Sequence, residues 1–321
     1  MSTFRLGTRG SPLALVQART VAQRLREHAD VEAEIVVIKT SGDRLADVRL
    51  SDVGGKGLFV KEIEEALLAG DIDLAVHSSK DMPATLPEGL AVCIALPRED
   101  SRDALVLPAP AGHAPFDHTV QALGASPVIG TSSVRRVAQL TVLMPHARFV
   151  PFRGNLDTRL AKLDRKEVDA IILAVAGLKR LDRAARISAF VPPEACLPAP
   201  GQGIVAVETR ADDRNVQQAL ATIGDAAAFD ALRAERAVVF HLGGGCQMPI
   251  GAHADVTGDR ITLAAVVIAL DGSRVARAVG EGAREDAQTI GHLVAGRLLD
   301  AGAGDILSMV RMADHGEPPR P

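Results

Sequence analysis

The stretch IDLAVHSSKD, residues 72–81, shows the pattern that decides the fold. Its first half, 72–76, is short and apolar, which predicts a buried strand, and the polar loop 77–81 follows directly. The same succession occurs four more times. The other polar loops that follow a predicted strand are 8–11, 40–43, 130–136 and 152–155. Because ligands of open α/β sheets bind at the carboxyl ends of the strands, these loops predict a shared site for an anion.

Strand-like and helix-like periods alternate through the first two thirds of the chain, which predicts α/β units around largely parallel sheets. The predicted strands are 4–8, 34–39, 72–76, 128–130, 147–152, 170–174 and 204–208, and the predicted helices are 12–29, 58–68, 134–143 and 156–166. A connector at 191–203 contains four prolines and two glycines. From about Asp225 a helix, alternating strands at 250–256, 260–270 and 273–280, and a helix at 285–299 predict a small α+β domain.

Composition excludes several classes of protein. The 321 residues carry a formal charge of −4 and contain neither Trp nor Tyr, which argues against a nucleic-acid partner. The longest apolar stretches, 170–178 and 261–270, are too short to span a membrane, and no signal peptide is apparent. Three widely spaced cysteines fit neither a disulfide framework nor a metal site. We therefore expect reduced thiols and a cytoplasmic location, with no metal and no membrane partner.

Positive charge is concentrated in one part of this acidic chain. Residues 130–159 contain five arginines and one acid, Asp157, so the segment carries +4. The arginines are Arg135, Arg136, Arg148, Arg153 and Arg159. Arginine holds carboxylate or phosphate through two parallel hydrogen bonds, so the cluster suits a polyanionic small molecule. The alternative for any one of them is a place on a solvated helix face.

Two further loops carry candidate residues. The glycine loop 53–57 contains Lys56 but lacks the Ser or Thr of a nucleotide-binding P-loop, so it is either a ligand loop or a plain turn. Asp81 follows a buried strand and either faces a ligand or stabilises a turn. Among the thiols, Cys93 is predicted in a buried strand and Cys196 in the connector. Cys246 follows three glycines, which makes it the best candidate for a nucleophile or a covalent attachment, against a structural role.

Seven motifs, in order along residues 4–312, resemble the porphobilinogen deaminase family. They are RGSPLA (9–14), VGGKGLF (53–59), HSSKD (77–81), GTSSVRR (130–136), RGN (153–155), LAVAGLKR (173–180) and GGCQMP (244–249). The resemblance implies two α/β domains of the periplasmic-binding-protein type with a cleft between them, plus a small α+β C-terminal domain. It places the limits at 1–100, completed by about 201–222, then 101–200 and 223–321. It also implies a monomer.

The family's reaction joins four porphobilinogen molecules head to tail, releases ammonia and yields hydroxymethylbilane for haem synthesis. The resemblance further implies a dipyrromethane cofactor, attached through a thioether to Cys246. Asp81 would be the catalytic carboxylate, which stabilises positive charge as ammonia leaves. The residues implied to hold the carboxylates of cofactor and substrate are Arg9, Ser11, Lys56, Lys80, Ser133, Arg135, Arg136, Arg153 and Arg159. Asp43 also matches a family position, where it either touches the cofactor or stabilises a turn. The chain departs from the family at Asp52, where many members carry Lys.

Two other functions compete with this interpretation. A two-domain α/β cleft also serves non-catalytic solute-binding proteins, so a polycarboxylate-binding protein is the main alternative. A transcription-factor effector domain is less well supported, since the sequence shows no helix-turn-helix segment and no basic DNA-binding face. Release of ammonia from porphobilinogen would distinguish the enzyme from both.

Overall fold

The computed structural model describes residues 2–44, 60–245 and 247–314. Within them the chain forms three β-sheets, two of five strands and one of three. Asp52, Lys56 of the glycine loop and the candidate thiol Cys246 lie outside the described residues. The predicted architecture, two α/β units flanking a cleft plus a smaller α+β unit, is confirmed.

The first sheet has the strand order β2-β1-β3-β10-β4. Its strands are β1 (Ser2–Thr8), β2 (Val31–Val37), β3 (Leu74–Ser78), β4 (Leu90–Ala95) and β10 (Val205–Arg210). Its helices are α1 (Pro12–Ala29), α2 (Ser41–Arg44), α3 (Lys61–Ala69) and α8 (Arg214–Ala221). Strand β10 comes from late in the chain and pairs antiparallel with both β3 and β4.

The second sheet repeats this plan with the order β7-β6-β8-β5-β9. Its strands are β5 (Asp103–Val106), β6 (Val128–Gly130), β7 (Arg148–Val150), β8 (Ala170–Ala174) and β9 (Ala189–Val191). Its helices are α4 (Phe116–Ala122), α5 (Val134–Leu143), α6 (Leu156–Asp164) and α7 (Val175–Arg180). Strand β5 pairs antiparallel with β8 and β9. Half of the strand pairings in each five-stranded sheet are antiparallel, so the prediction of largely parallel sheets was wrong in this respect.

The third sheet is an antiparallel meander, and helices cover one face. Its strands are β11 (Ile250–Thr257), β12 (Arg260–Ile268) and β13 (Val275–Ala283), and the helices are α9 (Ala226–His241), α10 (Ala287–Asp300) and α11 (Ala303–Asp314). Alternate strand residues such as Leu263 and Ala265 are buried against Val238 and Val294 of the helices. The period-2 pattern of the strands is therefore the direct cause of this layer.

Two segments connect the first sheet to the second, one after β4 and one before β10. They run side by side: the Leu96 N–H donates to the Val205 carbonyl (2.9 Å) and the Glu99 N–H donates to the Gly203 carbonyl (3.1 Å). A small apolar cluster, Ala138, Leu197, Val266 and Ile268, joins helix α5, the connector and strand β12. The arginine-bearing helix and the third sheet are thus packed against the same connector.

Candidate functional site

A cleft of about 1000 Å³ lies between the two five-stranded sheets. Residues from all five predicted polar loops line it, and so do Gly245 and Met248, which flank Cys246 along the sequence. Its charged lining residues are Arg9, Lys39, Lys80, Asp81, Arg135, Arg136, Arg153, Asp157, Arg159 and Arg236. Eight of these ten side chains are basic, so the cleft is suited to a polyanion.

Three helices begin at the cleft, each with a polar N-cap residue. The Ser11 hydroxyl accepts a hydrogen bond from the Ala14 N–H (3.3 Å) at the start of α1, where Pro12 occupies the first turn. Ser133 caps α5 through the Arg136 N–H (3.4 Å), and Asn155 caps α6. Neither α1 nor α5 has an acidic residue in its first turn. The positive ends of these helix dipoles therefore add to the charge of the basic side chains.

The loop 77–81 continues from strand β3 as a short 3-10 helix, Ser79–Asp81. The Ser79 N–H donates to the Ile204 carbonyl (3.0 Å), which fixes the loop to the connector. Lys80 and Asp81 then lie on the cleft wall. Burial lowers the pKa of Lys80 to about 8, although the charge of Asp81 acts in the opposite direction. The ammonium is poorly solvated and would gain from contact with a carboxylate.

Arg159 on α6 shows the same electrostatic signature. Its Nε donates to the Gly154 carbonyl (2.9 Å), and the side chain is half-buried in the cleft wall. Burial, followed by repulsion from Arg136, lowers its pKa to about 10. Arg9 and Arg153 also lie on the wall. The structure therefore brings together predicted residues that are far apart in the sequence.

Arg135 and Arg136 have a partner that the sequence prediction lacked. Both are buried, and their Nη2 atoms lie 2.8 and 2.7 Å from the two carboxylate oxygens of Asp103. Arg135 also donates to the Leu197 carbonyl (2.8 Å), and Arg136 to the Ile172 carbonyl (2.9 Å). Much of their donor capacity is thus used within the protein. Their contact with a ligand stays a prediction.

Sequence reasoning missed Asp103, Gln202 and Arg236. Asp103 is a fully buried carboxylate in an otherwise apolar strand, and the Arg135 and Arg136 charges hold its pKa well below the usual range despite burial. Gln202 and Arg236 line the cleft. An acid directly before the apolar run 104–107 and a Gln between two glycines were the available signals.

Asp43 lies in α2, next to the cleft-lining Gly42, but its side chain lies outside the described part. Of the described cysteines, Cys93 is half-buried with its thiol 2.8 Å from the Thr209 hydroxyl. Cys196 is buried, and burial raises its pKa to about 12. Neither of these two thiols is activated as a nucleophile.

Two known sequence families match this chain. The family described as "Porphobilinogen deaminase, dipyromethane cofactor binding domain" matches residues 4–218. The family described as "Porphobilinogen deaminase, C-terminal domain" matches residues 229–300.

The chain belongs to the porphobilinogen deaminase family.

Relatives in this family match nearly end to end. The porphobilinogen deaminase of Syntrophus aciditrophicus (strain SB) is 45% identical over 306 residues, which cover 95% of this chain and 97% of the relative. That of Moorella thermoacetica is 45% identical over 312 residues, covering 97% of each. Among solved structures, a crystal structure of the Bordetella pertussis BvgS VFT2 domain gives a TM-score of 0.40 at 16% identity, covering 73% of this chain and 91% of that one.

Within the described ranges, no group of three or more His, Cys, Asp or Glu side chains could hold a metal ion. Across the same ranges, no helix is both long and apolar enough to cross a membrane.

Proposed function

We propose that the chain is a hydroxymethylbilane synthase. Four porphobilinogen molecules are joined head to tail, four ammonia molecules leave, and water releases the linear tetrapyrrole. Family membership along most of the chain supports this activity, and the basic cleft is the observation that carries it. Each added pyrrole brings two carboxylates, so a growing product needs many cations in one cavity. The alternative of a non-catalytic polycarboxylate-binding protein is not favoured by the family match.

The cleft fits the dipyrromethane group named in the family description. Two pyrrole rings carry four carboxylates, and the cavity of about 1000 Å³ offers eight basic side chains and three helix N-termini. Arg9, Ser11, Lys80, Ser133 and Arg153 would hold its carboxylates. When bound, the group supplies the pyrrole carbon to which the first substrate is joined.

Attachment of this group to Cys246 through a thioether is part of the proposal. Gly245 and Met248, its near neighbours in the chain, line the cleft. The thiols of Cys93 and Cys196 are less suitable, because burial raises the pKa of both. A thioether forms only if the thiolate is within reach of the cofactor. Cys246 is the proposed site because its chain neighbours Gly245 and Met248 line the cleft in which the cofactor would bind.

Asp81 is the proposed catalytic carboxylate. It is the acidic residue that the Ser79–Asp81 turn places on the cleft wall beside Lys80. As ammonia leaves the aminomethyl carbon of porphobilinogen, positive charge develops on the pyrrole. A fixed carboxylate in a poorly solvated cleft stabilises that charge without reorganisation. The same oxygen atoms can accept and return the proton that moves when the new carbon–carbon bond forms.

Arg159 and Arg153 would pair with the carboxylates of the substrate. Asp81 would then be the carboxylate that faces the reacting pyrrole. Asp43, Lys56, Arg135 and Arg136 complete the proposed binding set.

We place the domain limits at 1–100 with 201–222, 101–200 and 223–321. We also propose a cytoplasmic monomer with porphobilinogen as its substrate and no membrane or nucleic-acid partner. The charge of −4 supports the absence of a nucleic-acid partner, and the odd number of cysteines supports a reducing location.

The proposed function is tested by intact mass and ammonia release. The purified, denatured protein should carry an adduct of two pyrrole units on the peptide that contains Cys246. The native protein should release one ammonia for each porphobilinogen consumed. A bare chain that gains no adduct with porphobilinogen or hydroxymethylbilane, and releases no ammonia, would support the binding-protein alternative.

A further inference from the structure

Gln202 is a buried amide between the arginine pair and Lys80. Its side chain is 1% exposed, and Nε2 donates to the Ser101 carbonyl (2.7 Å) and to Asp103 Oδ1 (2.9 Å). A carbonyl and an ionised carboxylate only accept hydrogen bonds, so the amide nitrogen must face them. Oε1 consequently faces the other way, and Lys80 Nζ lies 3.5 Å from it.

We propose that Gln202 is a positioning residue, which holds the Lys80 ammonium at the cleft wall by an accepted hydrogen bond while adding no negative charge. The inference deepens the proposed function, because Lys80 belongs to the proposed carboxylate-binding set. It also assigns a role to the Gly-Gln-Gly turn that ends the connector.

The turn around Gln202 is tightly fixed against the Lys80 loop. Gly201 has φ +74°, and a Cβ there would lie 2.5 Å from the Ser79 hydroxyl oxygen and 3.2 Å from the main-chain nitrogen of Lys80. Gly203 has φ +89°, and a Cβ there would lie 2.2 Å from the Glu99 carbonyl. The Gln202 carbonyl accepts from Arg98 Nε at 3.0 Å. The amide therefore has little freedom to turn away from Lys80.

Charge explains why a neutral acceptor suits this position. The groups whose charges act on Lys80 are Asp81 and Asp103, which favour the ammonium, and Arg135 and Arg136, which oppose it. A glutamate at 202 would pair with Lys80 and compete with ligand carboxylates. It would also put a second carboxylate at the position of an amide nitrogen 2.9 Å from Asp103 Oδ1. Glutamine keeps both the hydrogen bond and the positive field.

Gln202→Met tests the role, with Gln139→Met as the matched control. Gln139 is equally buried and holds the same connector, through Nε2 to the Leu197 carbonyl (3.0 Å) and Oε1 from the Leu197 N–H (2.7 Å). Competitive acetylation of the purified chain with acetic anhydride, across neutral to alkaline pH, reports the apparent pKa of Lys80 by peptide mass. Loss of an acceptor destabilises the ammonium, so Gln202→Met should lower this pKa by about 0.5 unit or more. Gln139→Met should leave it unchanged.

Kinetics provide the second readout. In Gln202→Met the KM for porphobilinogen should rise roughly tenfold, with a smaller change in kcat. The increase of KM at alkaline pH should begin at a lower pH in this variant than in wild type. An unchanged Lys80 pKa, or an equal shift in Gln139→Met, would overturn the proposal. Acetylation requires no substrate, so a wild-type chain that releases no ammonia would refute the proposed function and leave this result readable.

If Gln202→Met fails to fold, Gln202→Asn supplies the test. Its amide is neutral but one methylene shorter, so its oxygen no longer reaches Lys80 Nζ and the Lys80 pKa should fall as in Gln202→Met. A Gln202→Asn chain with an unaltered Lys80 pKa would contradict the proposed contact.

Discussion

Arg98 and Glu235 form an ion pair where the two connecting segments meet the third sheet, with 2.6 Å between Nη1 and Oε1. Glu235 is completely buried and also accepts the N–H groups of Gly201 and Ala254. Arg98 Nε donates to the Gln202 carbonyl. One carboxylate on helix α9 thus holds both the connector and strand β11.

Removing the arginine should be strongly destabilising, because it leaves Glu235 buried without its counter-charge. We expect Arg98→Met to lower the free energy of unfolding by about 3 kcal/mol. Arg26→Met is the control, since Arg26 pairs with Glu32 at the surface, where water and salt screen the pair, and its loss should change stability little. Urea denaturation followed by circular dichroism measures both. Equal losses in the two variants would refute the special role of the buried pair.

Asp81→Asn should separate cofactor attachment from turnover. The amide keeps the shape of the side chain but cannot stabilise the developing positive charge, so we expect kcat to fall by roughly 10²- to 10⁴-fold. Intact mass should still show the two-pyrrole adduct. Near-normal ammonia release by this variant would remove Asp81 from the mechanism.

Cys246→Ala should abolish the adduct altogether, because no thioether can form. Cys93→Ala is the control, since its half-buried thiol contacts Thr209 and not the cleft. Its adduct should be retained at wild-type level. Mass spectrometry of both denatured chains gives the answer, and an intact adduct on the Cys246 variant would disprove the assignment.

Arg159→Leu should weaken substrate binding by removing a poorly solvated cation from the cleft wall. We expect the KM for porphobilinogen to rise by about 10- to 100-fold, which corresponds to one lost charged hydrogen-bond pair. Arg165→Leu is the control, because Arg165 lies one residue beyond α6 and pairs with Glu167 at the surface. Steady-state assays at low and moderate salt compare the two. A similar KM in both variants would place Arg159 outside the binding set.

Glu64 in helix α3 should make stability depend on pH. Burial, followed by the charge of Glu208, raises the pKa of Glu64 to about 7 from an ordinary 4.5. The folded state binds this proton more tightly than the unfolded state does. Protonation of Glu64 therefore contributes fully to the free energy of unfolding below pH 4.5, and this contribution is lost as pH rises to about 7. The loss amounts to about 2 kcal/mol after allowance for solvent screening.

Glu64→Gln should remove this dependence, so the variant should gain stability relative to wild type between those pH values. Glu65→Gln, one residue along the same helix, is the control because Glu65 is exposed and pairs with Lys61. Urea midpoints at a series of pH values test the difference. A Glu64→Gln curve parallel to that of wild type would contradict the raised pKa.

Local signals explain which parts of the fold could be predicted. Helix α1 starts at Pro12 and ends at Ala29 as predicted, because Ser11 and Pro12 fix its start. Helix α5 also has the predicted bounds, 134–143. Helix α3 starts at Lys61, three residues after the predicted 58, and residue 58 itself lies outside the described part. Short strands such as Ala170–Ala174 were also recognisable from a local signal, a short and continuous apolar run.

Long-range relationships explain what could not be predicted. Strand β5 was not predicted at all, and the direction of β10 depends on strands far away in sequence, so the antiparallel pairings were missed. Helices α2, α4, α7, α8 and α11 were also missed. At the site, the loops were correctly expected to share one cleft, yet the pairing of Arg135 with Asp103 spans 32 residues. Nothing in the spacing of these charges indicates that they meet.

The position of β10 in the first sheet has a consequence for synthesis on the ribosome. Strands β3 and β4 are hydrogen-bonded to β10 and not to each other, so this sheet cannot close until residues 205–210 have emerged. Until about two thirds of the chain has been translated, β3 presents an unpaired edge of the kind that attracts other strands. A nascent chain stalled before residue 205 would therefore be a natural client of ribosome-associated chaperones.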